Sequence, residues 1–492
     1  MTQQIESFEV TKGRKSGDLL SELRQEKKLK IGFAAYGYFE YWRMYEGLRD
    51  QVIADMKIIA DRLSQNHDII YPGMIETLDA SDEAGKLFSN NHIDLLIFAE
   101  GTYCPDYFMH QTLNNLPDDI PIICYGTSLT GKIDFDSDYQ ISLRNSGMMG
   151  LVQLTAGFKK MKKHSKYEVI IGGIEDDEVY DTFDKMIQVF TTIKNLKHMT
   201  FGLVGHVFRG MYDFEYEKTA VTGKLGPHIM DINIDHLMSI HEENGTTDPR
   251  IKKLLNSAKS EYTIVGLKDE EITKAAQLAI AFQDLIERYK LNGLVVLGQH
   301  LIEAKAGSTC HLGLSEILKN DLAAVVTEGD VLGCIMSKIV KDFTGRSPFF
   351  GEWQEFDTSE NTLMLLGHGF IDARECRPDR PIYVKPACEN WGFTGNSVGF
   401  EATYSTGPLT MTHIIQDAKG WRLLISEGEL VDSPPLKINE CTLIVKIDKP
   451  VKQFLTELMH YGFSHHAIAI PGHVGKQLSW FARQLDIEVN WI

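Results

Sequence analysis

Two acids and two histidines in the second half of the chain have the side chains that bind divalent metal ions. Glu328 lies in TEGD, and Glu352 follows 24 residues later in GEWQEF. His368 lies in LLGHGF, and His466 lies in SHHAIAIPGH near the C-terminus. Carboxylates and imidazoles together suit Mn²⁺ or a similar ion better than an ion that prefers thiolates. The intervals match no short metal-binding motif, so the spacing alone does not establish a site.

Each of these residues also has a purely structural interpretation. Glu328 could be a solvated acid at a strand end, and Glu352 could be an acid in a surface loop. His368 follows an apolar run and could be a hydrogen-bonded core histidine. His465 and His466 are neighbours, and in a strand their side chains point to opposite faces. We therefore expect only one of the two histidines to face a given site.

Three further stretches are ambiguous. Asp330 precedes a helical pattern, and a short acid there suits a helix N-cap. Cys310 stands beside His311, as in a nucleophilic pair, but a buried free cysteine is the favoured interpretation. The aromatic stretch AAYGYFEYW, which contains Tyr36 and Tyr38, follows the first apolar run and suits either core packing or sugar stacking.

Short apolar runs alternate with helical patterns over the first two thirds of the chain. Buried strands are predicted at 29–37, 94–101, 121–126, 167–173, 199–206, 229–234, 262–267, 292–298 and 322–326. The helical spacing between many of them gives a βαβ rhythm, which predicts mostly parallel sheets. Ligands bind such sheets at the carboxyl ends of the strands, where Glu328 is expected.

The pattern changes after about residue 345, where short strands are separated by glycine, proline and aspartate turns. Such spacing is typical of an antiparallel sheet or a small barrel. We therefore predict an α/β fold with two Rossmann-like α/β domains, 1–170 and 171–327. A mainly antiparallel, barrel-like β domain, 328–492, is expected to follow them.

Composition narrows the classes of function. A chain of 492 residues is too long for one core. Its net charge of −18 argues against nucleic acid and anionic membranes as partners. Seven cysteines without a C-x-x-C pair indicate neither a disulfide framework nor a zinc ribbon. The sequence has no secretory or membrane-spanning pattern, so we expect a cytoplasmic protein.

The order TEGD, SPFFGEWQEF, LLGHGF and SHHAIAIPGH resembles the L-arabinose isomerase / L-fucose isomerase superfamily along the whole chain. The resemblance implies an Mn²⁺-dependent enzyme, or one using another divalent cation, that interconverts an aldose and its ketose. Carried over by motif, Glu328, Glu352, His368 and His466 are the metal ligands. Glu328 and Glu352 are also the catalytic base and acid, in an order that could be reversed.

The resemblance also concerns assembly and substrate. It implies a homo-oligomer, a trimer or hexamer, whose active site is shared between subunits and takes a small sugar. Tyr36, Tyr38 and Trp391 are the expected substrate-binding residues. Two alternatives from other classes remain: a sugar-binding protein without catalysis, and an epimerase on the same scaffold.

The sequence departs from the arabinose branch at two places. Gly351-Glu352-Trp353 replaces an E-D-Y sequence, and ACENWGFTGNSVGF after PIYVKP replaces a glycine-rich H-L-G-I-G-G-K. Contacts to the distal end of a sugar set its identity, because the reacting end is common to all substrates. We therefore expect a substrate that differs distally from L-arabinose, with a C6-modified hexose such as sulfoquinovose as one alternative.

Overall fold

The computed structural model describes residues 28–164, 166–297, 299–387, 392–394, 397–434 and 436–492, without the side chain of Gln299. The expected substrate-binding residue Trp391 lies outside these ranges. Within them, no helix is both long and apolar enough to cross a membrane.

The N-terminal part is built on a parallel sheet with strand order β2-β1-β4-β5-β6, in which β3 also pairs with β1. Strands β4 and β5 are almost entirely buried, which explains their continuous apolar sequences. The strands are β1 (Lys30–Tyr36), β2 (Asp68–Ile70), β3 (Met74–Ile75), β4 (Leu95–Glu100), β5 (Ile122–Ser128) and β6 (Tyr167–Gly173). The helices are α1 (Phe39–Trp42), α2 (Leu48–Leu63), α3 (Leu78–Asn90), α4 (Tyr107–Leu113), α5 (Tyr139–Arg144) and α6 (Gly147–Met161).

A second parallel sheet has the order β11-β10-β7-β8. Its strands are β7 (Thr200–Val204), β8 (His228–Ile232), β10 (Gly293–Val296) and β11 (Ala324–Thr327). The helices of this part are α7 (Asp177–Leu196), α8 (Lys218–Leu225), α9 (Ile234–Asn244), α10 (Pro249–Glu261), α11 (Asp269–Tyr289), α12 (Gln299–Ala306), α13 (His311–Lys319) and α14 (Val331–Thr344), with a 3₁₀ turn at Tyr212–Phe214. These two sheets confirm the predicted parallel α/β character.

The C-terminal part is a largely antiparallel sheet with the order β16-β19-β12-β13-β18-β17-β20. An additional pairing between β16 and β17 closes six of these strands into a ring, as the barrel-like prediction requires. The strands are β12 (Phe349–Asp357), β13 (Thr362–Gly367), β16 (Gly407–Asp417), β17 (Gly420–Val431), β18 (Thr442–Ile447), β19 (His466–Pro471) and β20 (Glu488–Trp491). Helices α15 (Val451–Tyr461) and α16 (Gly475–Gln484) and a 3₁₀ turn at Ala373–Glu375 complete it.

Two predicted strands have partners that the sequence did not indicate. Only β9 (Thr263–Ile264) forms within 262–267, and it pairs with β14 (Tyr383–Pro386), which also pairs with β15 (Val398–Glu401). The central sheet therefore lacks this strand, and a small three-stranded sheet joins the central and C-terminal sequences. Strand β6, predicted to belong with the central rhythm, pairs with β5 in the first sheet.

Helix α14 connects the central sheet to the ring. It begins directly after the turn that follows β11, and it packs against β10 and β11 on the central side and β16 and β19 on the ring side. A single cluster of buried side chains runs from Val326 through α14 to Phe350 and Ile468. This shared packing fixes the end of β11 relative to the strands of the ring.

Candidate active site

Glu328 lies in a strained turn at the carboxyl end of β11. Its φ of 62° is unusual for a residue with a side chain, and the following Gly329 has a φ of 83°. A Cβ atom on Gly329 would lie 2.6 Å from the carbonyl oxygen of His206. The amide of Phe208 donates to the Glu328 carbonyl over 3.0 Å, so the loop after β7 holds this turn. Backbone strain of this kind concentrates at functional sites.

Strand pairing in the ring brings the second acid to the histidines. Glu352 in β12 is directly opposite His466 in β19, and opposite residues of an antiparallel pair project from the same face. His368 follows the last residue of β13, which pairs with β12 on its other side. Its Nε2 lies 3.3 Å from Oε1 of Glu352, and its Nδ1 lies 4.0 Å from Oε1 of Glu328. The structure therefore brings together all four residues that the resemblance names.

His465 also faces this group, so the expectation that only one of the two adjacent histidines can do so is wrong. Strand β19 begins at His466, and the side-chain alternation of a strand does not apply to the residue before it. Ligand atoms of Glu328, Glu352, His465 and His466 all lie within 4.8 Å of one another. The Nδ1 atom of His465 lies 2.7 Å from a carboxylate oxygen of Asp213, on the 3₁₀ turn of the central part.

The electrostatics of the group favour a bound cation. Burial alone would raise the pKa of Glu328, but the hydrogen bond to His466 and the charge of His368 hold it below its ordinary value. Contact with His368 likewise lowers the pKa of Glu352. Burial would lower the pKa of His466, but the carboxylates of Asp330 and Glu328 raise it to about 9. Both acids are therefore ionised at neutral pH.

The donor set fits a divalent ion. Nε2 of His368 is buried, and its 3.3 Å contact with Oε1 of Glu352 lacks hydrogen-bonding geometry, which leaves it without a hydrogen bond among the described residues. A buried polar atom without a partner costs free energy, and a metal ion would satisfy this nitrogen. Glu328, Glu352, His368 and His466 would hold the ion, and His465 lies close enough to join them. Mixed oxygen and imidazole donors are what Mn²⁺ and similar ions accept.

A cavity of about 480 Å³ opens beside this group, within the size range of small-molecule sites. Apolar side chains of Phe208, Met211, Leu366 and Phe393 line it together with polar side chains of His300, His311, Glu440, Glu328, Glu352, His368 and His465. Neither lysine nor arginine is among the described residues that line it. The described wall therefore offers carboxylates, imidazoles and apolar surface to a ligand.

Glu440 is a lining residue that the sequence gave no reason to select. It directly precedes Cys441, whose carbonyl accepts a hydrogen bond of 2.8 Å from the amide of Gly367. The Glu440 side chain is buried, and its Oε2 has no hydrogen-bond partner among the described residues. Burial raises the pKa of Glu440 to about 8, so the carboxyl is largely protonated at neutral pH.

Cys310 does not act with His311 as a nucleophilic pair. Burial raises the pKa of the Cys310 thiol to about 12, so thiolate is scarce at neutral pH. Burial also lowers the pKa of His311 to about 4. The interpretation of Cys310 as a buried core residue is the one that the structure supports.

The two expected substrate-binding tyrosines lie away from this cavity. Tyr36 is fully buried at the end of β1, and its hydroxyl is 2.6 Å from the hydroxyl of Thr112. It therefore belongs to the core, which was one of the two interpretations of the aromatic stretch. Tyr38 is half-buried and contacts the rings of Tyr41 and Tyr103. Neither tyrosine is among the residues that line the cavity.

Comparison with known proteins agrees with the resemblance. A family model described as the L-fucose isomerase C-terminal domain matches residues 383–492. A sulfoquinovose isomerase from Alkalicoccus urumqiensis is 21% identical over 327 residues, which are 66% of this chain and 71% of that protein. A solved structure from Mycobacterium smegmatis is 13% identical and covers 65% of this chain and 87% of its own, but its TM-score of 0.13 carries no argument.

These matches define an enzyme of the aldose–ketose isomerase class. Within that class, the chain is similar to the L-fucose isomerase-like superfamily, whose C-terminal domain model matches its last part. The motif order predicted this relationship.

Proposed function

We propose that this protein is a divalent-metal-dependent isomerase that interconverts an open-chain aldose and its 2-ketose. The observation that carries the proposal is the contact of Glu328, Glu352, His368 and His466 with one another beside one cavity, which the first three of them line. These residues come from one turn of the central part and three strands or strand ends of the ring. Two ionised carboxylates at one cavity can accept protons, which proton transfer requires and binding alone does not.

The two acids can carry out the proton transfers. We assign Glu328 as the base that takes the C2 proton of the aldose and Glu352 as the acid, and the roles exchange in the reverse direction. The C2–H bond breaks, its electron pair forms the C1=C2 bond, and the electrons of the C1=O bond move to O1. Glu352, which is ionised at rest, takes the proton of the O2 hydroxyl and gives it to O1. The proton held by Glu328 then adds to C1, and the electron pair left on O2 forms the C2=O bond of the ketose. A bound divalent ion would supply the positive charge that polarises the sugar carbonyl.

Rigid placement supports the choice of Glu328 as base. Its backbone is locked by the left-handed turn and by the Phe208 amide, and its side chain contacts His466 over 3.3 Å. Proton transfer at carbon demands a base held in one geometry. Glu352 is more exposed than Glu328, with 26% against 11% of its side chain accessible, which suits exchange of protons with solvent.

The substrate that we propose is a sugar modified at its distal end, with sulfoquinovose as the leading candidate. The 21% identical relative is a sulfoquinovose isomerase, and this observation favours a sulfonated hexose over L-arabinose. A sulfonate needs a cationic partner. Arg209 is exposed between Phe208 and Met211, which both line the cavity, and it is the arginine best placed in sequence to reach its mouth.

The test is a panel of aldoses assayed with Mn²⁺ in D₂O, with products identified by NMR. The panel contains L-arabinose, D-arabinose, L-fucose, D-galactose and sulfoquinovose. We expect a 2-ketose as product and the highest kcat/KM with sulfoquinovose. An aldose epimer as the only product would indicate an epimerase, and binding without turnover would indicate a sugar-binding protein. L-arabinose as the best substrate would contradict the distal-end assignment.

We also propose a homo-oligomer, a trimer or hexamer, in which the aromatic stretch of one subunit completes the site of another. In support, Phe39 and Met44 are exposed near Tyr38, at the carboxyl end of the first sheet. We also propose the domain division 1–170, 171–327 and 328–492. Light scattering and activity measured on one dilution series test the shared active site, because a fully active monomer would exclude it.

A further inference from the structure

The carboxylate of Asp330 accepts three hydrogen bonds, and capping explains only one of them. Its Oδ1 accepts from the amide of Gly333 over 2.7 Å, which is the expected N-cap contact of α14. Its Oδ2 lies 2.8 Å from Nε2 of His413 and 3.0 Å from Nδ1 of His466. All three side chains that share this contact, Asp330, His413 and His466, are fully buried.

These contacts determine which nitrogen of His466 faces Glu328 and the candidate metal centre. The ionised carboxylate can only accept, so Nδ1 of His466 carries a hydrogen. Nε2 then points to the other side, where it lies 3.3 Å from Oε2 of Glu328. The rings of Phe350 and Phe214 pack on His466 at centroid distances of 4.5 and 4.9 Å and restrict rotation of the ring. In the neutral imidazole, the Nε2 lone pair is therefore the one available to a metal ion.

The start of α14 is shaped to admit this carboxylate. A Cβ atom on Gly333 would lie 2.4 Å from Oδ2 of Asp330 and 2.8 Å from its Cγ. Glycine inside a helix costs about 1 kcal/mol relative to alanine. Any other residue here would push against the oxygen that both histidines share.

His413 fixes the carboxylate from the opposite side. It lies in β16, and its Nδ1 has no hydrogen-bond partner among the described residues. The one hydrogen bond of its side chain among the described residues is therefore the contact of Nε2 with Asp330. Burying an imidazole with one nitrogen unpaired costs free energy of folding. The single bond to Asp330 is therefore expected to serve a purpose other than stability.

We propose that Asp330, supported by His413, is a positioning residue that holds His466 in the tautomer and orientation needed to bind the metal ion. This inference rests on the metal centre of the proposed function. Carboxylates that hold metal-binding histidines in this way typically contribute 10–100-fold to metal affinity. Asp330 itself does not touch the cavity.

The experiment compares Mn²⁺ affinity and metal-free stability in the full chain. Asp330→Asn keeps the N-cap, because asparagine caps helices as well as aspartate does. Its amide group would donate toward His466, which moves the imidazole hydrogen to Nε2 and blocks the metal side. We expect Mn²⁺ to bind about 10–100-fold more weakly by calorimetry, with little change of the Tm in EDTA. Asp176→Asn is the matched control. Asp176 is also an N-cap aspartate, at the exposed start of α7, and its capping bond is to the amide of Glu178 rather than to a histidine.

His413 gives a second pair of variants. Glutamine can place an N–H where Nε2 of histidine stands, and leucine cannot. We expect His413→Gln to keep most of the Mn²⁺ affinity and His413→Leu to lose at least several-fold. If Asp330→Asn fails to fold, the two His413 variants still test whether Asp330 and His413 position His466.

The outcomes separate this inference from the proposed function. If the wild type binds no Mn²⁺ or other divalent ion, the metal centre itself is wrong, and the inference falls with it. If the wild type binds Mn²⁺ and Asp330→Asn binds it equally well, only the positioning role is wrong. A lower Tm with unchanged affinity would make Asp330 a purely structural residue, and equal affinities for the two His413 variants would exclude the supporting role.

Discussion

Glu328 and Glu352 are the two acids of the proposed mechanism, and replacing either with glutamine should impair catalysis while leaving the fold intact. The substitution keeps the shape but removes a ligand charge and a proton acceptor. We expect turnover to fall by about 10²–10⁴-fold, the usual contribution of a general acid or base. Bound metal per chain, measured by elemental analysis, should fall in parallel.

Glu355→Gln is the matched control for these two variants, because Glu355 is an exposed acid of the same strand as Glu352. It should retain wild-type activity and metal content. Full metal occupancy together with full activity in Glu328→Gln or Glu352→Gln would refute the assigned mechanism.

Glu440 should make the stability of the folded chain depend on pH, because burial raises the pKa of its carboxyl to about 8. An acid with a raised pKa in the folded state binds a proton that the unfolded chain has already released. The folded state is therefore penalised by about 1.4 kcal/mol for each pH unit between the ordinary pKa near 4.5 and about 8.

Glu440→Gln removes this penalty. Its Tm in EDTA should exceed that of the wild type by an amount that grows from pH 5 to pH 8, as scanning calorimetry would show. A difference in Tm that stays constant over this range would contradict a buried neutral carboxyl.

At the scale of elements, the two ends of α14 provide a controlled comparison of glycines. Gly329 before the helix and Gly345 after it both have positive φ, 83° and 68°. A Cβ atom at 329 would meet the backbone of His206 and Val207 at 2.6 Å, whereas nothing lies within 4 Å of one at 345. Gly345→Ala should therefore cost only the left-handed penalty of about 1–2 kcal/mol.

Gly329→Ala should cost more in urea unfolding and should also lower kcat, because the turn that holds Glu328 would have to move. Similar losses of stability and activity in the two variants would show that the turn at Glu328 tolerates a side chain.

The same elements show what the sequence could and could not reveal. Strands β4, β5, β10 and β11 are buried on both faces, so their apolar runs marked them clearly. Strand β9 has two residues, too few to show in a pattern which sheet it joins. The four candidate ligands could be named because their motifs resemble those of a known family. The contacts of Asp330 with His413 and of Asp213 with His465 span 83 and 252 residues, and no local pattern records them.

At the scale of the whole molecule, the candidate centre joins sequence segments that fold into different sheets. Glu328 directly follows a strand of the central parallel sheet, and the remaining candidate ligands lie in or next to strands of the antiparallel ring. A metal ion held by both should therefore stabilise the folded chain, because the unfolded chain cannot gather these groups. At a free concentration of 100 times its Kd, the ion would contribute about 2.7 kcal/mol, enough to raise the Tm by a few degrees. We expect EDTA to lower the Tm by this amount and Mn²⁺ to restore it, with no response in Glu352→Gln. Equal Tm values for the wild type with and without Mn²⁺, in a scan where calorimetry shows the ion to be bound, would mean that the unfolded chain binds the ion as well as the folded one, and would contradict a centre that only the folded chain assembles.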